Sequence, residues 1–189
     1  MLRSAALLCS LFSLAACATA PTPTPALAAP TSDRVVHAQI NGPGGVAVGL
    51  LTLAEGPQGV LMRINTLPGA LTPGWHGLHL HELGDCSSEG FVSSGGHVGH
   101  GGRQQHGLLN PGGPEFGDLP NILIPGPQHG AAVELYVAEA TLHQRRGSTN
   151  LADQDGTALV IHAGPDDHTS QPIGGAGIRV ACAVIPPAG

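Results

Sequence analysis

Two histidines one residue apart, His79 and His81, decide what chemistry this 189-residue chain can do. Alternate side chains on a β-strand share a face, so both imidazoles can reach one ion. Downstream lie His97, closing Ser93-Ser94-Gly95-Gly96-His97, then His106 and Asp118, and finally His162 after Val160-Ile161. His79, His81, His97 and His162 together suit copper or zinc, both of which bind imidazole well. His97, His106 and Asp118 form a second set, with the nitrogen and carboxylate ligands typical of zinc. His97 alone is placed to join both sets, and an imidazole serves two cations when both ring nitrogens are deprotonated. A zinc hydrolase is disfavoured, because the chain has no H-E-x-x-H run.

Short elements must position these ligands. Gly (29 residues) and Pro (17) are abundant and aromatics make up 3%, a composition that points to an all-β domain with long connections. Strands are expected at 34–40, 46–54, 59–65, 75–82, 121–124, 132–137, 157–162 and 178–184, with turns at Asn41-Gly42 and Glu55-Gly56-Pro57. Eight short strands imply an eight-stranded Greek-key β-barrel or sandwich. Two connections, 83–120 and 163–177, far exceed turn length, and loops that long are usually functional. His79, His81 and His162 then sit on rigid strands, and a loop delivers His97.

The N-terminus reads as an export signal over residues 1–16: Arg3, then an apolar stretch too short to span a bilayer comfortably. Leu14-Ala15-Ala16-Cys17 resembles a bacterial lipobox, which would make Cys17 the lipidated first residue. Ordinary cleavage after Ala18-Thr19-Ala20 is the alternative, giving a soluble exported protein. Residues 17–32, rich in Pro, Thr and Ala, form a tether, and the folded domain covers 33–189. Cys86 and Cys182 remain as a pair in an oxidising compartment, so a disulfide is expected. The formal charge is −6, all seven basic residues are arginine, and lysine is absent. Nothing in that balance favours a nucleic-acid surface.

Five segments resemble the copper/zinc superoxide dismutases, most closely their exported bacterial branch. They are G-L-H-L-H-E-L-G-D-C (77–86), S-S-G-G-H (93–97), G-D-L-P-N (117–121), V-I-H-A-G-P-D-D (160–167) and G-G-A-G-I-R-V-A-C (174–182), within a likeness running from Arg34 to Ile185. The resemblance implies disproportionation of superoxide by copper alternating between Cu(II) and Cu(I). Copper would be held by His79, His81, His97 and His162. Zinc would take His97, His106 and Asp118. It also implies that His97 takes up and returns a proton, and that Arg179 attracts and orients the anion. In an acidic domain without lysine, Arg103 of the long loop is the further candidate for drawing the anion in. Asp166 falls where the family hydrogen-bonds a ligand histidine of each metal, and Cys86 with Cys182 matches the family disulfide. His76 corresponds to a structural histidine.

One segment departs from the family. Where H-x-G-D is expected, this chain has Glu115-Phe116-Gly117-Asp118, and neither Glu115 nor His100 is counted as a ligand. His37, His129, His143 and His168 are expected as surface or loop residues. A copper-storage module is the rival reading, argued against by Arg179, since storage needs no residue that guides a substrate. The expected setting is the cell envelope or periplasm, with membrane contact only through a lipid anchor, no nucleic-acid partner, and a monomeric or homodimeric state.

Overall fold

Aliphatic runs separated by glycine and proline fold, in the computed structural model, into strands of two to nine residues. Residues 34–99, 102 and 104–189 are described. The signal segment, the tether with Cys17, residue 33, His100 and Arg103 therefore lie outside the described residues. In chain order the longer strands are β1 (Val35–Asn41), β2 (Ala47–Glu55), β3 (Gly59–Thr66), β4 (Gly74–His81), β5 (Asp118–Ile124) and β6 (Ala132–Ala138). The two-residue strands β7 (Ala140–Thr141) and β8 (Thr149–Asn150) pair in parallel, and β9 (Thr157–His162) and β10 (Arg179–Ile185) complete the set.

The eight longer strands form one antiparallel sheet in the order β5-β4-β9-β10-β1-β2-β3-β6, curled into a nearly closed barrel. Consecutive strands pair in β1-β2-β3, β4-β5 and β9-β10, the connections from β3 to β4 and from β6 to β9 cross between strands that are not neighbours, and β5 and β6 are the two edges where the barrel nearly closes. Greek-key topology was the expectation for eight strands of this kind, and each expected strand is present. β5 begins at Asp118, three residues earlier than expected from Asn121, despite Pro120. It lies at an edge of the sheet, where a missing N–H costs no ladder bond.

Strand alternation sorts the side chains. Leu78, Leu80, Leu159 and Ile161 are fully buried inside the barrel with Leu51, Leu53, Met62 and Ile64. The intervening residues His79, His81, Val160 and His162 face outward, yet they too are buried. Both strands are thus covered on two faces, because the long connection after β4 folds back over the outer one. Gly117 lets it lie close: a Cβ there would meet the carbonyl oxygen of Leu80, whose amide bonds the Gly117 carbonyl at 2.8 Å. The same connection carries a 3-10 turn, Glu89–Ser94, anchored to β10 by the Cys86–Cys182 disulfide.

Candidate metal centre

Register brings the histidines together. In the ladders of β4, His79 lies opposite Val160 on one side and Asp118 on the other, and Leu78 faces Ile161 one step along. His162 ends β9 opposite Arg179 of β10. His97 is delivered by a single bridge to His81.

Each ring is held by one nitrogen and presents the other. His79 Nε2–H donates to Asp166 at 2.8 Å, His81 Nδ1–H to the Gly95 carbonyl at 2.9 Å, and His162 Nδ1–H to the Gly177 carbonyl at 2.9 Å. These bonds fix the tautomer and leave a lone pair on the opposite nitrogen. His79 Nδ1, His81 Nε2, His97 Nε2 and His162 Nε2 are buried, with no hydrogen-bond partner among the described residues. The four residues can supply ligand atoms within 4.8 Å of one another. Buried polar atoms are nearly always satisfied, so four unpartnered nitrogens in one place describe a cation site. Burial, reinforced by the nearby positive charge of Arg179, pushes His81 down to about 2 and His162 to about 4. Both rings are therefore neutral near pH 7, the form that binds metal.

A second group of ligand atoms adjoins the first. His79, His97, His106 and Asp118 also fall within 4.8 Å, although His79 Nε2 is already committed to Asp166. His97 Nδ1 lies 3.1 Å from Asp118 Oδ1, and His106 Nδ1 lies 2.7 Å from the same oxygen. The other Asp118 oxygen accepts from the amides of Gly107, at 2.7 Å, and Glu115, at 2.9 Å. Burial alone would raise the pKa of Asp118, but its bonds with His97 and the Gly107 amide, together with His106, hold it below the ordinary carboxylate range. For His106 burial acts downward, and the Asp118 and Asp166 carboxylates outweigh it, so its pKa rises.

Asp166 touches both groups: one oxygen accepts from His79, and its carboxylate lies 3.2 Å from His106 Nε2. The His168 amide donates to it at 2.6 Å, while Asn121 brackets its backbone through bonds of 2.8 and 2.9 Å. The bonds from His79, the His168 amide and His106 hold the Asp166 carboxyl far below its usual range despite burial. Arg179 donates to the carbonyls of Phe91 (2.7 Å) and Gly95 (2.8 Å) and to Ser94 Oγ (2.9 Å). The Gly95 oxygen thus serves His81 and Arg179 together.

The structure gathers every expected ligand, with Asp166 and Arg179 beside them. His76 stands outside the cluster, its two ring nitrogens against the carbonyls of His162 (2.6 Å) and Thr72 (2.8 Å). His143 and His168 are less isolated than expected: His143 pairs with Glu55 at 2.8 Å, and His168 lies by Asn121 and Asp166. Sequence reasoning missed Asn121 and Gln171, which bonds the His106 backbone through both its amide atoms. Neither has a ligand chemistry that spacing would flag. Glu115 was left aside and is buried, with Oε2 3.1 Å from His97 Nδ1.

An antiparallel barrel whose outer strand face carries two adjoining groups of potential metal ligands, both of which include His79 and His97, has the layout of a dinuclear metalloprotein. The family model for copper/zinc superoxide dismutase (SODC) matches residues 47–185. A "Superoxide dismutase [Cu-Zn]" of Caulobacter vibrioides is 47% identical over 141 residues, 75% of this chain and 79% of that protein. "Superoxide dismutase [Cu-Zn] 2" of Aquifex aeolicus is 39% identical over 157 residues, 82% of this chain and 88% of that one. Among solved structures, a SOD-like protein from Bacillus subtilis superposes with a TM-score of 0.70 at 30% identity, covering 79% of this chain and 97% of that one. The chain belongs to the copper/zinc superoxide dismutase family. Its cofactors are accordingly copper and zinc, and the disulfide together with bacterial relatives marks it as exported.

Proposed function

We propose that this chain converts superoxide to dioxygen and hydrogen peroxide, with copper held by His79 Nδ1 and by Nε2 of His81, His97 and His162. Zinc would be held by His97, His106 and Asp118. The observation that carries the reading is the convergence of those four unpartnered, buried ring nitrogens. When bound, copper supplies one-electron redox chemistry, alternating between Cu(II) and Cu(I) as one superoxide is oxidised and the next reduced. The protein contributes a rigid, neutral ligand set and a site for the anion. His97 faces the carboxylates through Nδ1 and the copper ligands through Nε2, so Nε2 is the atom at which a proton is taken up and returned.

Superoxide is an anion, whereas the chain is acidic overall. A cleft can focus local field against net charge, and superoxide dismutases are a standing example. Arg179 supplies that field. Three of its hydrogen bonds hold the guanidinium beside His81, and a guanidinium has further N–H groups to offer an anion. Arg179→Ala is expected to lower the second-order rate by about tenfold or more and to flatten its salt dependence. Stopped-flow decay of superoxide across a range of ionic strength measures both, and an unchanged rate and slope would remove Arg179 from the mechanism.

A redox assay for superoxide loss, run alongside elemental analysis, tests the whole reading. Stoichiometric copper without turnover would instead favour a storage module. Cys17 is proposed as the site of a lipid anchor in the cell envelope, which fits the Leu14-Ala15-Ala16-Cys17 run and the tether after it. Acyl labelling that persists in Cys17→Ser, or protein found wholly in the soluble fraction, would overturn the anchor.

A further inference from the structure

His106 is carried differently from its neighbours. His79, His81 and His162 lie on β4 and β9, and Asp118 opens β5, so a ladder fixes each main chain. His97 has its bridge to His81. His106 lies in the irregular connection between β4 and β5. Its buried ring must still meet two partners at once, with Nδ1 2.7 Å from Asp118 Oδ1 and Nε2 3.2 Å from the Asp166 carboxylate. A short side chain leaves the ring little adjustment of its own, so its place follows that of the main chain.

Gln171, from the connection between β9 and β10, supplies what a neighbouring strand would. Its Oε1 accepts from the His106 N–H at 3.2 Å, and its Nε2–H donates to the His106 carbonyl at 2.8 Å. A hydrogen-bonded antiparallel pair exchanges the same two kinds of bond. A carboxamide suits this task because one planar end carries both donor and acceptor, whereas a carboxylate only accepts. The clamp is anchored in turn. Gln171 Nε2–H also reaches the Thr169 carbonyl at 3.1 Å, and Asp167 Oδ1 accepts from the amides of Thr169 (2.8 Å) and Ser170 (2.7 Å). Leu109 N–H donates to the His168 carbonyl at 3.0 Å, joining the same two segments. The connection that brings Asp166 to the His106 ring therefore grips the His106 backbone as well.

We propose that Gln171 is a positioning residue for zinc, clamping the His106 main chain so that the ring meets the metal in one fixed place. The inference rests on the zinc half of the function proposed above. Partners that orient a ligand typically contribute roughly ten- to a hundredfold to metal affinity. Gln171 acts on the backbone and not on the ring, which puts its effect at the low end.

Zinc retention tests this without reference to turnover. Gln171 is exposed, so its variants are expected to fold. Gln171→Ala should weaken zinc binding about tenfold in a chelator competition, with copper affinity, measured without zinc, unchanged. Gln171→Glu keeps the length and the acceptor but sets a carboxylate oxygen against two carbonyls, and should weaken zinc at least as much. Thr169→Ala removes a hydroxyl bond to Asp167 (3.1 Å) from the same turn and spares the clamp, so it should bind zinc as the wild type does. Cobalt(II) in place of zinc reports geometry: its visible absorption should change in Gln171→Ala and stay the same in Thr169→Ala. Wild-type zinc affinity in Gln171→Ala, or an equal loss in Thr169→Ala, would overturn the proposal. Absence of superoxide turnover in fully loaded wild-type protein would strike the proposed function alone, while weaker zinc binding by Gln171→Ala would still support the clamp.

Discussion

Alanine at position 81 is expected to weaken copper binding by more than about 100-fold, beyond the range seen when only a ligand's outer partner is removed, and to abolish superoxide turnover with it. His81 Nε2 is buried without a hydrogen-bond partner at the proposed copper site, while its Nδ1–H is fixed on the Gly95 carbonyl. The substitution deletes one of four nitrogens and leaves the other three rings anchored by their own bonds. Gly95 keeps its bond from Arg179, so the loop is not released. The metal-free variant loses a buried polar atom that has no partner, which offsets the small cavity it creates. Its thermal midpoint should therefore stay within a few degrees of the metal-free wild type, while the rise on adding copper disappears. Competition with a chelator, paired with thermal unfolding with and without copper, separates ligand loss from misfolding. Copper affinity within tenfold of wild type would rule His81 out as a ligand.

Serine at both Cys86 and Cys182 is expected to cost about 4–5 kcal/mol of stability, the chain-entropy value for so long a closed loop. The bridge spans 96 residues of sequence, so it removes much freedom from the unfolded chain. Function should suffer beyond that. The segment following Cys86 supplies the carbonyls of Phe91 and Gly95 and the hydroxyl of Ser94, which between them hold Arg179 and His81. With its tie to β10 cut, turnover should fall even at temperatures where the variant remains folded. Denaturant titration gives the first quantity, and superoxide decay well below the midpoint gives the second. A stability loss under about 1 kcal/mol would sink the entropic argument.

How much of this was legible in the sequence follows from which interactions are local. Period-two patterning placed His79 and His81 on one strand face, and an export signal with two leftover cysteines anticipated the disulfide. The strand containing Asn121 was found, but its start at Asp118 was hidden by Pro120, because nothing local says that β5 is an edge. The carbonyls of Gly95 and Gly177 orient the rings of His81 and His162, yet every residue has a carbonyl and none announces its partner. Glu115 was visible as a departure at the right spacing. Its inward direction depends on the bonds of the 115–118 turn and on the close packing at Gly117, which only the folded chain displays.

The Asp166 carboxylate would make the two proposed metal sites parts of one thermodynamic system. It holds His79 on one side and His106 on the other, and a Cβ at Gly174 would collide with it, so the space for it depends on that glycine. A cation that fixes His106 also steadies Asp166 and, through it, the imidazole of His79. Loading of the two metals should then be cooperative, and reciprocally so: whatever factor zinc contributes to copper affinity, copper must return to zinc. An exported enzyme built this way would favour chains carrying both metals or neither, and half-loaded molecules would be scarce wherever either ion is limiting.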